Sequence, residues 1–317
     1  MNPSLSDDQN VVLIAANPRA GWQSRDHHLR ELADWLRTRG LTVEIVTDLE
    51  HAERFANQLH EQGRLRALVG AGGDGTLAEL VNRTGPGTPL AIYPTGTANL
   101  VARYVGSTTR GEEFGQMLLE RATVQFDAGR ANGRLFMAVC SCGFDAEVVR
   151  QVHAARTGHI RSLAYLLPIL SALRTYRFPE LRIHYEQPEA SPGSNDAISA
   201  RWAFVSNLPC YAGGLKPGIG ACGTDGELDL CALRNGGLFS ALRYLPHLLR
   251  GTQGGLPGCT TSRRRRFRIE AADDAEVPYE VDGDPGGMLP VDIDVLPKRL
   301  TLIVPRVFAT ASQPLDP

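Results

Sequence analysis

Gly70-Ala71-Gly72-Gly73-Asp74-Gly75-Thr76 follows the apolar, strand-like Arg66-Ala67-Leu68-Val69 and precedes the helix-like Leu77-Ala78-Glu79-Leu80-Val81. Glycines at 72, 73 and 75 leave backbone N–H groups open to an anion, and the positive end of the following helix adds attraction. A polyphosphate suits such a turn. Asp74 is the odd residue, because a carboxylate beside phosphates repels them unless it handles a metal or accepts a proton. The simpler reading is a tight strand-to-helix turn with Asp74 as its N-cap.

The pattern repeats on either side. Pro94-Thr95-Gly96-Thr97-Ala98-Asn99-Leu100 follows the apolar Leu90-Ala91-Ile92-Tyr93 and again opens a helix-like segment, Val101-Ala102-Arg103-Tyr104. Earlier, Asn17-Pro18-Arg19-Ala20-Gly21 ends the strand-like Val11-Val12-Leu13-Ile14-Ala15. In an open parallel sheet the carboxyl ends of the strands form one edge, and ligands bind in the crevice outside it. Three such turns predict nucleotide binding. Leu29, Leu32, Trp35 and Leu36 recur at helical spacing, and Gly40 follows before the strand-like Leu41-Thr42-Val43-Glu44-Ile45-Val46. This alternation predicts a parallel sheet wrapped by helices over about the first 125 residues.

From Phe126 onward the rhythm changes to strand-like runs at 135–140, 181–185, 201–205, 228–233, 267–270 and 300–304, which predicts a β-rich second domain. Residues 187–197, rich in Pro, Ser and Gly, read as a surface loop. Two apolar helical segments, 163–170 and 238–245, are too short to span a bilayer; they pack on the β-rich domain, line an acyl pocket or touch a membrane surface. Arg263, Arg264, Arg265, Arg266 and Arg268 form the one basic cluster. With Phe267 and Ile269 inward, Arg264, Arg266 and Arg268 are expected on one outer strand face, solvated or against anionic phospholipid.

The 317 residues suffice for one or two domains with a substantial core. Charged residues at 21%, a net charge of −2 and 43% apolar residues exclude a disordered chain and give no push toward nucleic acid. Six cysteines, at 140, 142, 210, 222, 231 and 259, lack Cys-x-x-Cys pairs and zinc-like spacing to His, so free thiols in a reducing, cytoplasmic setting are expected. The polar start, 1–10, lacks the features of a secretion signal.

Taken in order, these motifs resemble the diacylglycerol kinase catalytic domain family, which includes sphingosine kinases and bacterial lipid kinases. The resemblance runs through Asn17-Pro18 with Gly21, Gly72-Gly73-Asp74-Gly75-Thr76 with Glu79 and Asn82, and Pro94-Thr95-Gly96-Thr97-Ala98-Asn99 with Ala102-Arg103. It continues through Gly143-Phe144-Asp145-Ala146, Asn207 with Tyr211-Ala212-Gly213-Gly214, Asp225-Gly226-Glu227-Leu228-Asp229 and Val281-Asp282-Gly283-Asp284-Pro285, covering about Val11 to Pro305. The glycine-aspartate motif alone is also similar to NAD kinases and phosphofructokinases.

The resemblance implies a Rossmann-like, parallel-sheet nucleotide-binding domain over 1–126, with residues 300–317 returning to it, and a C-terminal β-sandwich lipid-binding domain over 127–299. It implies an ATP-dependent lipid kinase using Mg²⁺, with diacylglycerol or a related lipid as acceptor. Asp282 or Asp74 would be the base. Gly72, Gly73, Gly75, Thr76, Gly96 and Thr97 would enclose the phosphates, while Asn17, Arg19, Arg161 and Asp284 would contact the nucleotide or its metal. Asp225, with backbone carbonyls at Cys222 and Glu227, would hold a structural Mg²⁺. On this reading Asp282→Asn abolishes transfer and leaves the fold intact. As a hairpin signal, Asp282-Gly283 also needs no function.

Two departures bear on the acceptor. Leu100 stands where many diacylglycerol kinases carry Asp, and Val148-Val149-Arg150 lacks the acidic residue that meets a sphingoid amine, so a sphingoid base is the second choice of lipid. A kinase of a soluble acceptor such as NAD or a sugar phosphate, or a lipid or nucleotide sensor without catalysis, is the alternative. The expected setting is cytoplasmic with peripheral membrane contact, and a homodimer is compatible with the sequence.

Overall fold

The computed structural model describes residues 9–16, 26–154, 166–185, 197–211 and 214–311. The chain divides into two compact units, Met1–Phe126 with Lys298–Pro317, and Asp127–Pro297.

The first unit alternates strand and helix in the order β1 (Val11–Ala16), α1 (Asp26–Arg37), β2 (Thr42–Val46), α2 (Leu49–Glu61), β3 (Leu65–Gly72), α3 (Asp74–Arg83), β4 (Pro89–Pro94), α4 (Leu100–Val105) and α5 (Gly111–Glu120). The strands lie in the order β2-β1-β3-β4, all parallel, and Thr301 and Leu302 near the chain's end add a parallel strand beside Pro89 and Leu90. β1 and β3 are buried along their whole length, as strands covered on both faces must be. Val12, Ile14 and Ala16 pack with Leu29, Leu32 and Leu36 of α1 and with Phe114 and Leu118 of α5, while α2 and α3 contact β1 and β3 through Ala52, Ala56, Leu59, Leu77 and Leu80. Arg66 is buried on β3, where its guanidinium donates to the carbonyls of Leu118 (2.9 Å) and Leu119 (2.6 Å), satisfying the last turn of α5; burial lowers its pKa.

The second unit follows from β5 (Thr123–Ala131), β6 (Arg134–Phe136), β7 (Val139–Gly143), α6 (Phe144–Ala154), α7 (Leu166–Thr175), β8 (Leu181–Tyr185), β9 (Ile198–Ala200), β10 (Trp202–Ser206), β11 (Leu228–Leu233), α8 (Leu238–Arg250), β12 (Cys259–Arg264), β13 (Arg266–Ala271), β14 (Pro278–Val281), β15 (Asp284–Met288) and β16 (Val291–Ile303), before α9 (Arg306–Ala311) closes the chain. One antiparallel sheet runs β12-β11-β10-β7-β14-β15. The other sets β13 between β16 and β8, with β9, β5 and β6 at its margins. Cys140, Val205, Leu228, Leu230, Ile183, Phe267, Ile269 and Ile293 form one buried cluster between them, a β-sandwich core.

Two sequence expectations change. The single strand expected over 135–140 is two strands, because the N–H groups of residues 137–139 bond to the Asp282 carboxylate instead of to a neighbouring strand. Arg264 ends β12 in one sheet, whereas Arg266 and Arg268 share the outer face of β13 in the other; Phe267 and Ile269 do point inward. Of the apolar segment at 163–170, the part from Leu166 onward opens α7, and the rest lies outside the described residues. All six cysteines are free, and no described helix is long and apolar enough to cross a membrane.

Candidate active site

The two glycine turns pack against each other at the carboxyl edge of the parallel sheet. The carbonyl of Gly72 accepts the N–H groups of Thr95 (2.9 Å) and Gly96 (3.2 Å), joining the ends of β3 and β4. A methyl group on Gly96 would lie 2.4 Å from the Gly73 Cα, and one on Gly72 would lie 2.2 Å from Thr76 Oγ1, so these two glycines are demanded by the turns themselves. Gly75 differs. A methyl there meets nothing within 4 Å, and it stands exposed in the first turn of α3, ahead of Thr76 and Leu77, whose N–H groups donate to the Gly73 carbonyl (3.1 and 3.2 Å). The open part of the predicted cradle is therefore Gly75 and the exposed Thr97, while Thr76 is buried behind them.

Asp74 does not cap its own helix. Gly73 is the N-cap of α3, and the Asp74 carboxylate reaches across to accept from the N–H of Val101 (3.4 Å), at the start of α4. Asn99 prepares that start. It adopts a left-handed conformation (φ 50°), accepts from the Gly96 N–H (3.0 Å) and donates to the Gly96 carbonyl (2.9 Å), leaving the cap of α4 to Asp74. Burial pushes the Asp74 pKa up, against the opposing pull of backbone N–H groups at residues 99–101. Glu79, by contrast, forms an ion pair with Arg83 (3.0 Å) on the exposed side of α3.

On the second unit, Asp282 and Gly283 both have positive φ (51° and 87°) and form the two-residue turn between β14 and β15. The Asp282 carboxylate accepts three consecutive backbone N–H groups, from Met137 (2.7 Å), Ala138 (2.9 Å) and Val139 (3.0 Å). This is a clamp holding the hairpin to the β6–β7 connection. Asp282→Asn would replace an acceptor oxygen with a donor facing donors, so the expectation that this variant leaves the fold intact does not hold. Asp284 is the freer carboxylate of the turn, paired with Arg134 (2.9 Å) and lying 3.5 Å from His153 Nε2, which is also 3.1 Å from the Gly283 carbonyl.

Beneath this turn lies an acid cluster without a sequence signal. Glu280 is wholly buried, one carboxylate oxygen accepting the Gly283 N–H (2.6 Å) and the other without a partner. Burial pushes its pKa well up, and the neighbouring Asp145 carboxylate adds to the rise. Asp145, at the start of α6, accepts from Ser141 Oγ (2.8 Å) and is likewise raised by desolvation.

The donor set expected to hold a structural Mg²⁺ does not fit one. Asp225 accepts the Glu227 N–H (3.0 Å) and lies 3.7 Å from the Arg263 guanidinium, which also pairs with Glu227 (3.8 Å) and Asp229 (3.3 Å). The Cys222 carbonyl already accepts from Thr224 (2.7 Å) and Asp225 (3.3 Å). The Arg263 guanidinium supplies the positive charge beside these three carboxylates. Among the described residues no group of three or more His, Cys, Asp or Glu could hold a metal. Asn17, Arg19 and Arg161 lie outside the described residues.

Both the parallel α/β unit with its glycine-aspartate turn and the β-sandwich match domain models of kinase families. Residues 11–131 match the diacylglycerol kinase catalytic domain, and residues 138–304 match the YegS C-terminal NAD kinase beta sandwich-like domain. The chain belongs to the diacylglycerol kinase family and is by that membership a phosphotransferase. It is 27% identical over 304 residues to a diacylglycerol kinase of Mycobacterium tuberculosis, covering 93% of this chain and 95% of the relative. It is 24% identical over 305 residues to a diacylglycerol kinase of Bacillus subtilis, covering 92% and 96%. A crystal structure of a diacylglycerol kinase from Bacillus anthracis shares the fold with a TM-score of 0.66 at 22% identity, over 94% of this chain and 98% of that one. An NAD kinase from Archaeoglobus fulgidus, solved in complex with ATP, shares it with a TM-score of 0.53 at 11% identity, over 95% and 96%.

Proposed function

We propose that this chain transfers the γ-phosphoryl group of Mg-ATP to the hydroxyl of diacylglycerol or a related glycerolipid. The observation that carries this reading is the pairing of an open helix N-terminus at Gly75 with a half-buried carboxylate, Asp74, in the same turn. The N–H of Gly75 at the amino end of α3 binds a phosphate oxygen, and Thr97 bounds the other side. Asp74 accepts the proton of the attacking hydroxyl, a role favoured by a pKa raised toward the working pH. Asp282, with its oxygens committed to three N–H groups, acts as a positioning residue that presents Asp284. The lipid acceptor is supported by the diacylglycerol kinase relatives.

The test is transfer of labelled γ-phosphate from Mg-ATP to a detergent-dispersed panel of diacylglycerol, monoacylglycerol, phosphatidylglycerol, ceramide and sphingosine, with NAD alongside. A labelled lipid that is missing with Asp74→Asn supports the reading and names the acceptor. Label in NAD and in no lipid would replace it with a soluble-acceptor kinase. ATP binding with no transfer to any acceptor would leave a sensor.

A further inference from the structure

We infer that the outer face of α8 is a docking surface for an anionic phospholipid bilayer. Helices on a β-sandwich bury their apolar residues, but α8 buries one apolar face and exposes another. Ala241, Tyr244 and Leu248 face inward, while Leu238, Phe239, Leu242, Leu245 and Leu249 are 47%, 87%, 59%, 46% and 44% exposed. Leu238, Leu242, Leu245 and Leu249 recur at spacings of four, three and four, so they form one stripe along the helix, and Phe239 widens it at the amino end.

The helix is held firmly from beneath. Lys216 N–H donates to the Leu248 carbonyl (2.7 Å), and the buried Gln253 just beyond the helix donates to the carbonyls of Lys216 (2.6 Å) and Pro217 (3.0 Å). The stripe is thus a fixed feature of the fold. Ile219, 49% exposed and beside Gly254, extends the apolar surface past the end of the helix.

Charge selects the occupant. Arg243 and Arg250 are seven residues apart, two helical turns, and border the stripe on the Phe239 side; both are exposed. The exposed Lys216 lies against Gly251 at the helix end, and Arg234 is exposed just before its start. Among the described residues none of these four cations has an acidic partner, and no Asp or Glu occurs in sequence between Asp229 and Glu270. Arg263 and Arg268 differ, each being paired with carboxylates. An apolar stripe edged by unpaired cations is the pattern of a helix lying in a lipid interface, its leucines among acyl chains and its arginines at the phosphates. A second copy would set the same cations against themselves. The choice of a lipid surface rests on the acceptor reading above.

Flotation with vesicles tests the inference, using phosphatidylcholine alone and phosphatidylcholine with about 30% phosphatidylglycerol, at low and high salt. Wild type is expected to partition at least about tenfold more onto the anionic vesicles at low salt. Phe239→Ser with Leu242→Ser should lose binding to them, and Arg243→Glu with Arg250→Glu should lose the anionic preference. Both pairs are exposed, so unchanged thermal unfolding is expected. Wild type left unfloated by anionic vesicles, or variants that float like wild type, would overturn the inference. So would sedimentation showing a dimer that Phe239→Ser with Leu242→Ser dissociates. Turnover of dioctanoylglycerol dispersed without a bilayer separates the two readings. Turnover without flotation overturns the docking surface alone; flotation without transfer to any lipid supports it and overturns the acceptor.

Discussion

Gly75 and Gly96 differ in what a methyl group would meet, and that difference separates ligand from fold. At Gly96 an added methyl strikes the backbone of Gly73 at 2.4 Å, so Gly96→Ala is expected to cost at least about 1–3 kcal/mol and to disrupt both turns, seen as a lower unfolding midpoint. At Gly75 there is room. Gly75→Ala should leave stability unchanged or raise it by up to about 1 kcal/mol, while the methyl obstructs phosphate approach and raises the KM for ATP about tenfold. Asp74 makes a further prediction at this scale. Burial raises its pKa, and the ionised form accepts the proton, so activity falls as pH is lowered through a value above the ordinary 3.8. Asp74→Asn should lower kcat by about 10²–10⁴ and remove that limb of the pH–rate profile.

At the scale of elements, the hairpin β14–β15 is held by two carboxyl groups with opposite demands. The Asp282 oxygens accept three N–H groups, whereas Glu280 is buried with one oxygen unpartnered and a raised pKa. A raised carboxyl pKa means the native state holds a proton that the unfolded chain releases. Its stabilising contribution is complete below the ordinary 4.5 and is lost as pH rises through the folded-state value. Urea unfolding should therefore show stability declining above about pH 4.5 from this group, and Glu280→Gln should flatten the decline and be the more stable form at pH 8. No change in slope would show that Glu280 is ionised in the native state. The cap that Arg66 supplies to α5 belongs here too: Arg66→Met leaves the carbonyls of Leu118 and Leu119 unpaired and should cost about 2–4 kcal/mol by the same measurement.

For the whole molecule, the first unit is assembled from both ends of the chain. Residues 298–317 return to it, Val304 N–H bonds to the Ala122 carbonyl (2.9 Å), and Phe308 packs edge-on against Tyr104 with ring centroids 5.6 Å apart. A chain ending at Pro297 would leave β4 an exposed, unpaired edge and uncover this apolar contact. It is expected to retain the fold of the β-sandwich and lose hydrogen-exchange protection over β3 and β4. Equal protection in the two chains would show that the returning segment contributes no stability.

Local spacing was enough for the alternation of strand and helix through α4, the glycine turns, the second β-rich half and the inward alternation of Phe267 and Ile269, because period and turn chemistry are carried by neighbours in the chain. Asp74 and Asp282 were both visible as carboxylates in glycine turns. Their partners were not, since Val101 and the N–H groups of residues 137–139 come from distant segments, and a long-range hydrogen bond leaves no periodic trace. The same limit hid Glu280, which reads as an ordinary strand residue until β7 and α6 bury it. It also hid Arg263, whose guanidinium lies 3.7 Å from the Asp225 carboxylate. Motifs record which chemistries are available along the chain; burial and cross-chain pairing, which exist only after folding, decide which carboxylates remain free to react.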